Sequence, residues 1–375
     1  MKLKSLLIGS AALMAAATGA KAADPIVVPE PEPMEYVRVC DVYGAGFFYI
    51  PGTETCLKIS GMVRYQMGFS NGDITDEFGI DDGWNKYARG EINLDARSET
   101  EYGTLGAFIK LRGTTSSGAP EATPGLNDGD AYSQGITGSG VNLQQAIISL
   151  GGLSMGVSDS IWDTGLSGEQ DVGFFPYSRV HFVNYTFVGG NGFTASLSLE
   201  EADKDYDWTP NVVGRLGVSQ GWGSADLYAA YDATGEEFAV KGIVKANLSD
   251  RMWLGVMAQY ESGIGYYSVN PFDGIISLGS SGLNMPFHAG AEWSVAAELG
   301  YKFTPKLKAS LGGSYYSDIG HGLLGDIDAW KLGTTIDYQI VENFNAKLAV
   351  TYSSFDTSGD DVDQWNGFLR LQRDF

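Results

Sequence analysis

Arg64, Arg89, Lys110, Arg112 and Arg370 each hold a polar position in a stretch where apolar and polar residues alternate. Asp159, Asp163, Glu169 and Asp171 crowd one glycine-bearing segment, DSIWDTGLSGEQDVGFFPY. Fixed cations facing fixed carboxylates break no bonds. Across a narrow passage with low-dielectric walls they set up a transverse field, which orients dipolar molecules, disfavours apolar ones and biases ions. Covalent chemistry finds little support. None of the three histidines, His181, His288 and His321, belongs to a motif with a nucleophilic serine. The pairs Asp81-Asp82 and Asp360-Asp361 sit in acidic loops, a poor scaffold for proton transfer. Asp73, Asp76, Glu77, Asp81 and Asp82 match no calcium loop, and no Cys/His cluster has metal-ligand spacing. No glycine run fits a phosphate or dinucleotide fingerprint. No metal and no cofactor are therefore expected. A formal charge of −22 excludes nucleic-acid binding through a basic surface.

These side chains need elements to position them. Residues 1–22 read as a secretory signal: Lys2 and Lys4, an apolar run from Leu6 to Ala17, then Ala20-Lys21-Ala22 as a small-x-small cleavage site. Removing Lys2, Lys4 and Lys21 takes the formal charge from −22 to −25. Residues 23–56 form a second region. It starts as an acidic, proline-rich extended tail and ends at Cys40 and Cys56, the only cysteines. Export permits a disulfide between them, with two unpaired thiols as the alternative. A bridge closing a loop of this size is worth about 3 kcal/mol by the loop-entropy estimate.

From residue 57 to residue 375 period-two alternation runs without a linker. Leu57, Ile59, Val63, Tyr65, Met67 and Phe69 lie on one face, and Lys58, Ser60, Arg64 and Gln66 on the other. Sixteen such stretches are predicted, near 57–69, 84–97, 104–114, 141–151, 153–158, 178–188, 192–200, 211–219, 223–232, 236–248, 250–260, 291–303, 305–317, 329–341, 344–354 and 364–375. Those near 141–158 and 178–188 alternate poorly, as strands at a subunit interface would. Short turns alternate with long acidic, glycine-rich loops, and aromatics such as Trp84, Tyr260, Trp293, Trp330 and Tyr352 sit at strand ends. This is the plan of an all-β, 16-stranded antiparallel transmembrane β-barrel. An open sheet edge in lipid would leave backbone groups unpaired at several kcal/mol each, so the sheet must close. No interior segment is apolar enough for a membrane helix. The acidic segment at 159–177 follows the fifth strand; by order and length it resembles the third long loop of trimeric porins, which folds inward, and it is expected to be a constriction loop. The five cations, from the early strands and the closing one, are expected to form a basic wall beside it.

The leader MKLKSLLIGSAAL, the block EYVRVCDVYGAGFFYIPGTETCLKISGMVRY, the stretch TFVGGNGFTASLSLE and the terminal FLRLQRDF resemble the general porins of alphaproteobacteria, of the rhizobial and Brucella type. The resemblance runs nearly end to end, apart from the long loops. It implies a homotrimeric outer-membrane channel that passes ions and small hydrophilic solutes by diffusion. The surroundings would be outer-membrane lipid and lipopolysaccharide. Phe375, closing an amphipathic strand, resembles the signal read by the barrel-assembly machinery. Two rivals are an adhesin or envelope-anchoring barrel, which should carry a plug segment that is not evident here, and a barrel enzyme, for which the histidines offer no site. The acidic total charge predicts mild cation preference at low salt, opposed by the basic wall.

Overall fold

Alternating side chains can be greasy outside and polar inside only if each strand finds hydrogen-bonding neighbours on both edges. The computed structural model describes residues 38–72, 82–117, 137–168, 179–201, 209–269, 277–278, 283–284, 290–322, 327–356 and 362–375. In chain order the strands are β1 (Phe47–Tyr49), β2 (Cys56–Gly72), β3 (Asp82–Thr100), β4 (Gly103–Ser117), β5 (Thr137–Leu150), β6 (Leu153–Ser158), β7 (Val180–Val188), β8 (Phe193–Glu201), β9 (Asn211–Gln220), β10 (Gly223–Asp232), β11 (Glu237–Asn247), β12 (Met252–Glu261), β13 (Ser277–Leu278), β14 (Leu283–Asn284), β15 (Ala291–Lys302), β16 (Leu307–Ile319), β17 (Asp328–Val341), β18 (Phe344–Asp356) and β19 (Val362–Asp374). Strands β2 to β12 and β15 to β19 each pair antiparallel with the next, and β19 pairs with β2, closing a sixteen-stranded barrel. Backbone bonds between Gly61 and Phe375, at 2.9 and 3.0 Å, end the seam. The sixteen predicted stretches are these sixteen strands.

The register sorts the faces. On β2, Ile59, Val63 and Tyr65 point outward and are exposed, while Gln66 and Ser70 point inward and are buried. On β10, Leu227 and Tyr231 are exposed and Tyr228, Ala230 and Asp232 are buried. Outward aromatics cluster near the strand ends. Trp293 with Tyr315, Trp330 with Tyr352 and Tyr352 with Trp365 have ring centroids 5.0 to 5.3 Å apart, and Tyr301 and Phe303 meet at the opposite rim. These are the girdles of a lipid-facing barrel.

One rim carries short turns, with Asn191 and Asn343 in the left-handed conformation that tight hairpins require. The other carries the long loops, except that β10 and β11 are joined there by only four residues, 233–236. The weak alternation near 141–158 has a local cause. The β4–β5 register steps from Gln145 to Leu143 and leaves Gln144 extra, so the inside–outside phase shifts. At the short-turn rim β1 pairs with the first residues of β2, on the edge that β19 leaves open. The disulfide Cys40–Cys56 ties this segment down, with Phe47 buried beside it. The leader and the tail to residue 37 lie outside the described residues.

Candidate functional site

The basic residues expected on the wall all occupy inward positions on four adjacent strands: Arg370 on β19, Arg64 on β2, Arg89 on β3, and Lys110 and Arg112 on β4. Their hydrogen bonds fall into two kinds. Arg64 Nε donates to Gln372 Oε1 at 2.8 Å, Arg370 Nε to Gln66 Oε1 at 2.7 Å and Arg89 Nε to Thr114 Oγ1 at 3.2 Å. Such neutral acceptors aim a guanidinium without cancelling its charge. Lys110 and Arg112 instead share Glu91, at 3.7 and 2.9 Å. Glu91 was legible only as one more polar residue of an alternating strand. Its role as shared counter-charge depends on β3–β4 register.

The segment after β6 turns into the barrel. Ser160 Oγ donates to Glu200 Oε2 on β8 at 2.6 Å, and the Ser167 amide donates to Glu298 Oε1 on β15 at 2.9 Å. Trp162 is fully buried, its ring 6.1 Å from Tyr228 and 5.5 Å from Tyr267. Lys241 on β11 donates to the carbonyls of Trp162 and Thr164, with its Nζ 4.7 Å from the Trp162 ring centre. Removing an ammonium from water is costly, and here two carbonyls and aromatic faces replace its hydration. Trp253 Nε1 donates to Ser167 Oγ at 3.1 Å. A Cβ at position 300 would come within 1.9 Å of the Trp253 ring, so Gly300 makes room for that indole. The segment is therefore fastened to β8, β11, β12 and β15, on the side of the ring away from β19 and β2 to β4.

A second segment supports it. Tyr266, Tyr267 and Val269, after β12, are buried, with the Tyr266 amide donating to Asp232 at 2.7 Å and Tyr267 Oη to Glu200 at 2.9 Å. Burial, then the neighbouring Glu200 carboxylate, pushes the Tyr267 hydroxyl pKa far up, so it stays a donor. His321, in the turn after β16, stands 3.8 Å from the buried Glu261 carboxylate. That carboxylate raises the imidazole pKa, outweighing partial burial.

Of the four acids expected on the loop, Asp159 lies at its root, 3.7 Å from Arg179 and accepting from Gln145 at 3.1 Å. Asp163 is exposed. Glu169 and Asp171 lie outside the described residues. Nothing in the alternation marks the docking residues Glu200, Lys241, Trp253 and Glu298 as loop anchors. The hint in the sequence is the apolar group Ile161, Trp162 and Leu166 at the start of an acidic segment.

The family described as "Porin subfamily" matches residues 24–369 of the chain. The chain belongs to the porin family. Porin Omp2a of Brucella melitensis is 37% identical over 399 residues, covering 100% of both chains. Porin Omp2b of Brucella abortus is 36% identical over 401 residues, again covering 100% of each. The crystal structure of the outer membrane channel DcaP of Acinetobacter baumannii superposes with a TM-score of 0.63 at 15% identity, covering 87% of this chain and 99% of that one, and shares the fold. This porin is a bacterial outer-membrane channel for passive diffusion. Porins generally assemble as trimers and pass small solutes.

Proposed function

We propose that this porin passes ions and small hydrophilic solutes through an eyelet bounded on one side by the loop that starts at Asp159. Arg64, Arg89, Lys110, Arg112 and Arg370 bound it on the other. Asp159, Asp163, Glu169 and Asp171 supply the loop's negative charge, and solutes cross the field between the two sides. The observation that carries this reading is the fastening of Trp162 against Lys241, Tyr228 and Tyr267 inside the ring. A loop held by a buried aromatic and bonded on to four strands is a fixed restriction, unlike a mobile surface loop. The working unit is a homotrimer, embedded in outer-membrane lipid with lipopolysaccharide beside the long loops. The barrel-assembly machinery reads the strand that ends in Phe375. Residues 1–22 direct export and are removed.

Planar-bilayer recording of the native oligomer tests the reading. Conductance should rise in steps and close in thirds. Replacing Asp163, Glu169 and Asp171 with their amides should change conductance or ion preference. Unchanged traces would mean that the loop acids stand away from the solute path.

A further inference from the structure

A cavity of about 460 Å³ lies at the short-turn end of the barrel interior, lined by Arg64, Lys302, Lys306, Lys308, Lys347 and Arg370, with Asp337 as the one carboxylate in its lining. The β-register makes this more than a loose collection of surface charges. Lys302 is directly opposite Lys308, Lys308 opposite Asp337, Asp337 opposite Lys347, and Lys347 opposite Arg370. Five inward side chains thus form one row across β15 to β19, and four of them are cationic. Lys308 and Lys347 share Asp337, each at 3.7 Å. Lys306 reaches in from the β15–β16 turn. Arg64 adds its guanidinium from β2, aimed by Gln372.

Directly opposed like charges destabilise a sheet. Here Lys302 faces Lys308 and Lys347 faces Arg370, inside a concave site whose lining carries six cations to one acid. A multivalent anion would relieve both repulsions at once. Side chains whose Cβ atoms stand at cross-strand spacing, about 5 Å apart, can bring their ammonium groups to successive oxygens of such an ion. The guanidinium forks of Arg64 and Arg370 suit tetrahedral oxyanions. The row leads from Arg370, which also stands on the eyelet's basic wall, out to Lys302 at the mouth. Glu298, which holds Ser167 of the loop, lies four residues before Lys302 on β15, about 13 Å at strand rise.

We infer that this cavity is an oxyanion-binding subsite at the short-turn mouth of the channel, taking phosphate-class anions, either free or as an oligophosphate chain. It rests on the interior being open to solutes and adds a place where one solute class is retained. Retention near the mouth raises the local concentration of that class and biases its passage.

The test uses the native oligomer in planar bilayers. Inorganic phosphate or tripolyphosphate is added to one side and then the other, with potassium chloride adjusted to hold ionic strength constant. The expected result is a saturable fall in single-channel current, reached at lower concentration from the short-turn side. The K308Q/K347Q double variant should need about tenfold more anion, the loss of roughly one charge-assisted contact. K308R/K347R should keep the effect. Action by phosphate alone assigns the site to single phosphate groups, and action by tripolyphosphate alone assigns it to chains. An equal fall with chloride, or an unchanged curve in K308Q/K347Q, overturns the inference. If that variant opens no channels, thermal unfolding of the detergent-solubilised wild-type oligomer decides: tripolyphosphate must raise its Tm, and no rise overturns the site. A wild-type oligomer that never opens would count against the pore reading instead.

Discussion

Lys241 is a fully buried cation whose ammonium answers two loop carbonyls, those of Trp162 and Thr164. Methionine would fill the same space and leave both carbonyls without that donor, at about 1–3 kcal/mol each. Lys241→Met should therefore loosen the segment after β6, seen as faster limited proteolysis near 159–168 and higher single-channel conductance. Trp162→Ala should act the same way, since removing a buried indole costs about 3–5 kcal/mol. His321 gives a pH-dependent contact. Glu261 holds the imidazole pKa above its ordinary 6.5, with Asp318 and Glu292 adding to the effect. The folded state thus binds the proton more tightly than the unfolded chain. The contact contributes fully below the ordinary value and fades as pH rises through the elevated one. Hydrogen-exchange protection around 318–322 and 261–269 should fall as pH rises above the ordinary histidine value of 6.5. It should become flat in His321→Gln. At this scale the sequence could be read only in part. Parity along a strand placed Arg64, Arg89 and Arg370 inward, because side-chain direction follows from position alone. It could not tell that Lys110 and Arg112 share Glu91 as a counter-charge, or that Glu200 and Glu298 hold a loop. Those facts depend on which residue stands opposite.

Gly61 and Phe375 show how the elements close. A Cβ on Gly61 would lie 2.2 Å from the Glu91 carbonyl oxygen and 2.7 Å from the Phe375 ring. Gly61→Ala should push the final strand out of register and lower the yield of heat-resistant oligomer on semi-native gels. A wild-type yield would show that the seam tolerates displacement. The Cys40–Cys56 bridge fastens β1 to the start of β2. Replacing both cysteines with serine should release the short-turn mouth segment, a local loss of about 3 kcal/mol, while the barrel stays closed. Protease mapping of residues 39–56 in the detergent-solubilised oligomer checks this. The strands themselves were legible because alternation between lipid and polar interior is imposed on every one of them. The shift at Gln144 was not, since a bulge looks like a lapse in pattern until its partner strand is known. The row from Lys302 to Arg370 was equally hidden, because five strands had to be aligned before their cations fell into one register row.

At the scale of the whole molecule, charge is divided by place. The sum is acidic, −22 over the full chain, while the described wall opposite the loop is rich in arginine and lysine. Mild cation preference at low salt is the expected balance, read as a reversal potential across a potassium chloride gradient. Neutralising Arg64, Arg89 and Arg370 together should move that potential further toward cations. An unchanged potential would place those arginines off the ion path. The ring closure has a consequence for how the protein comes apart. The strand that begins at Cys56 and the strand that ends at Asp374 are neighbours, so the last stitch joins parts that are remote along the chain. Until it forms, two raw margins face hydrocarbon; once it forms, none does. Strength therefore arrives in a single step, and denaturation should be all-or-none, with no durable half-cylinder left behind.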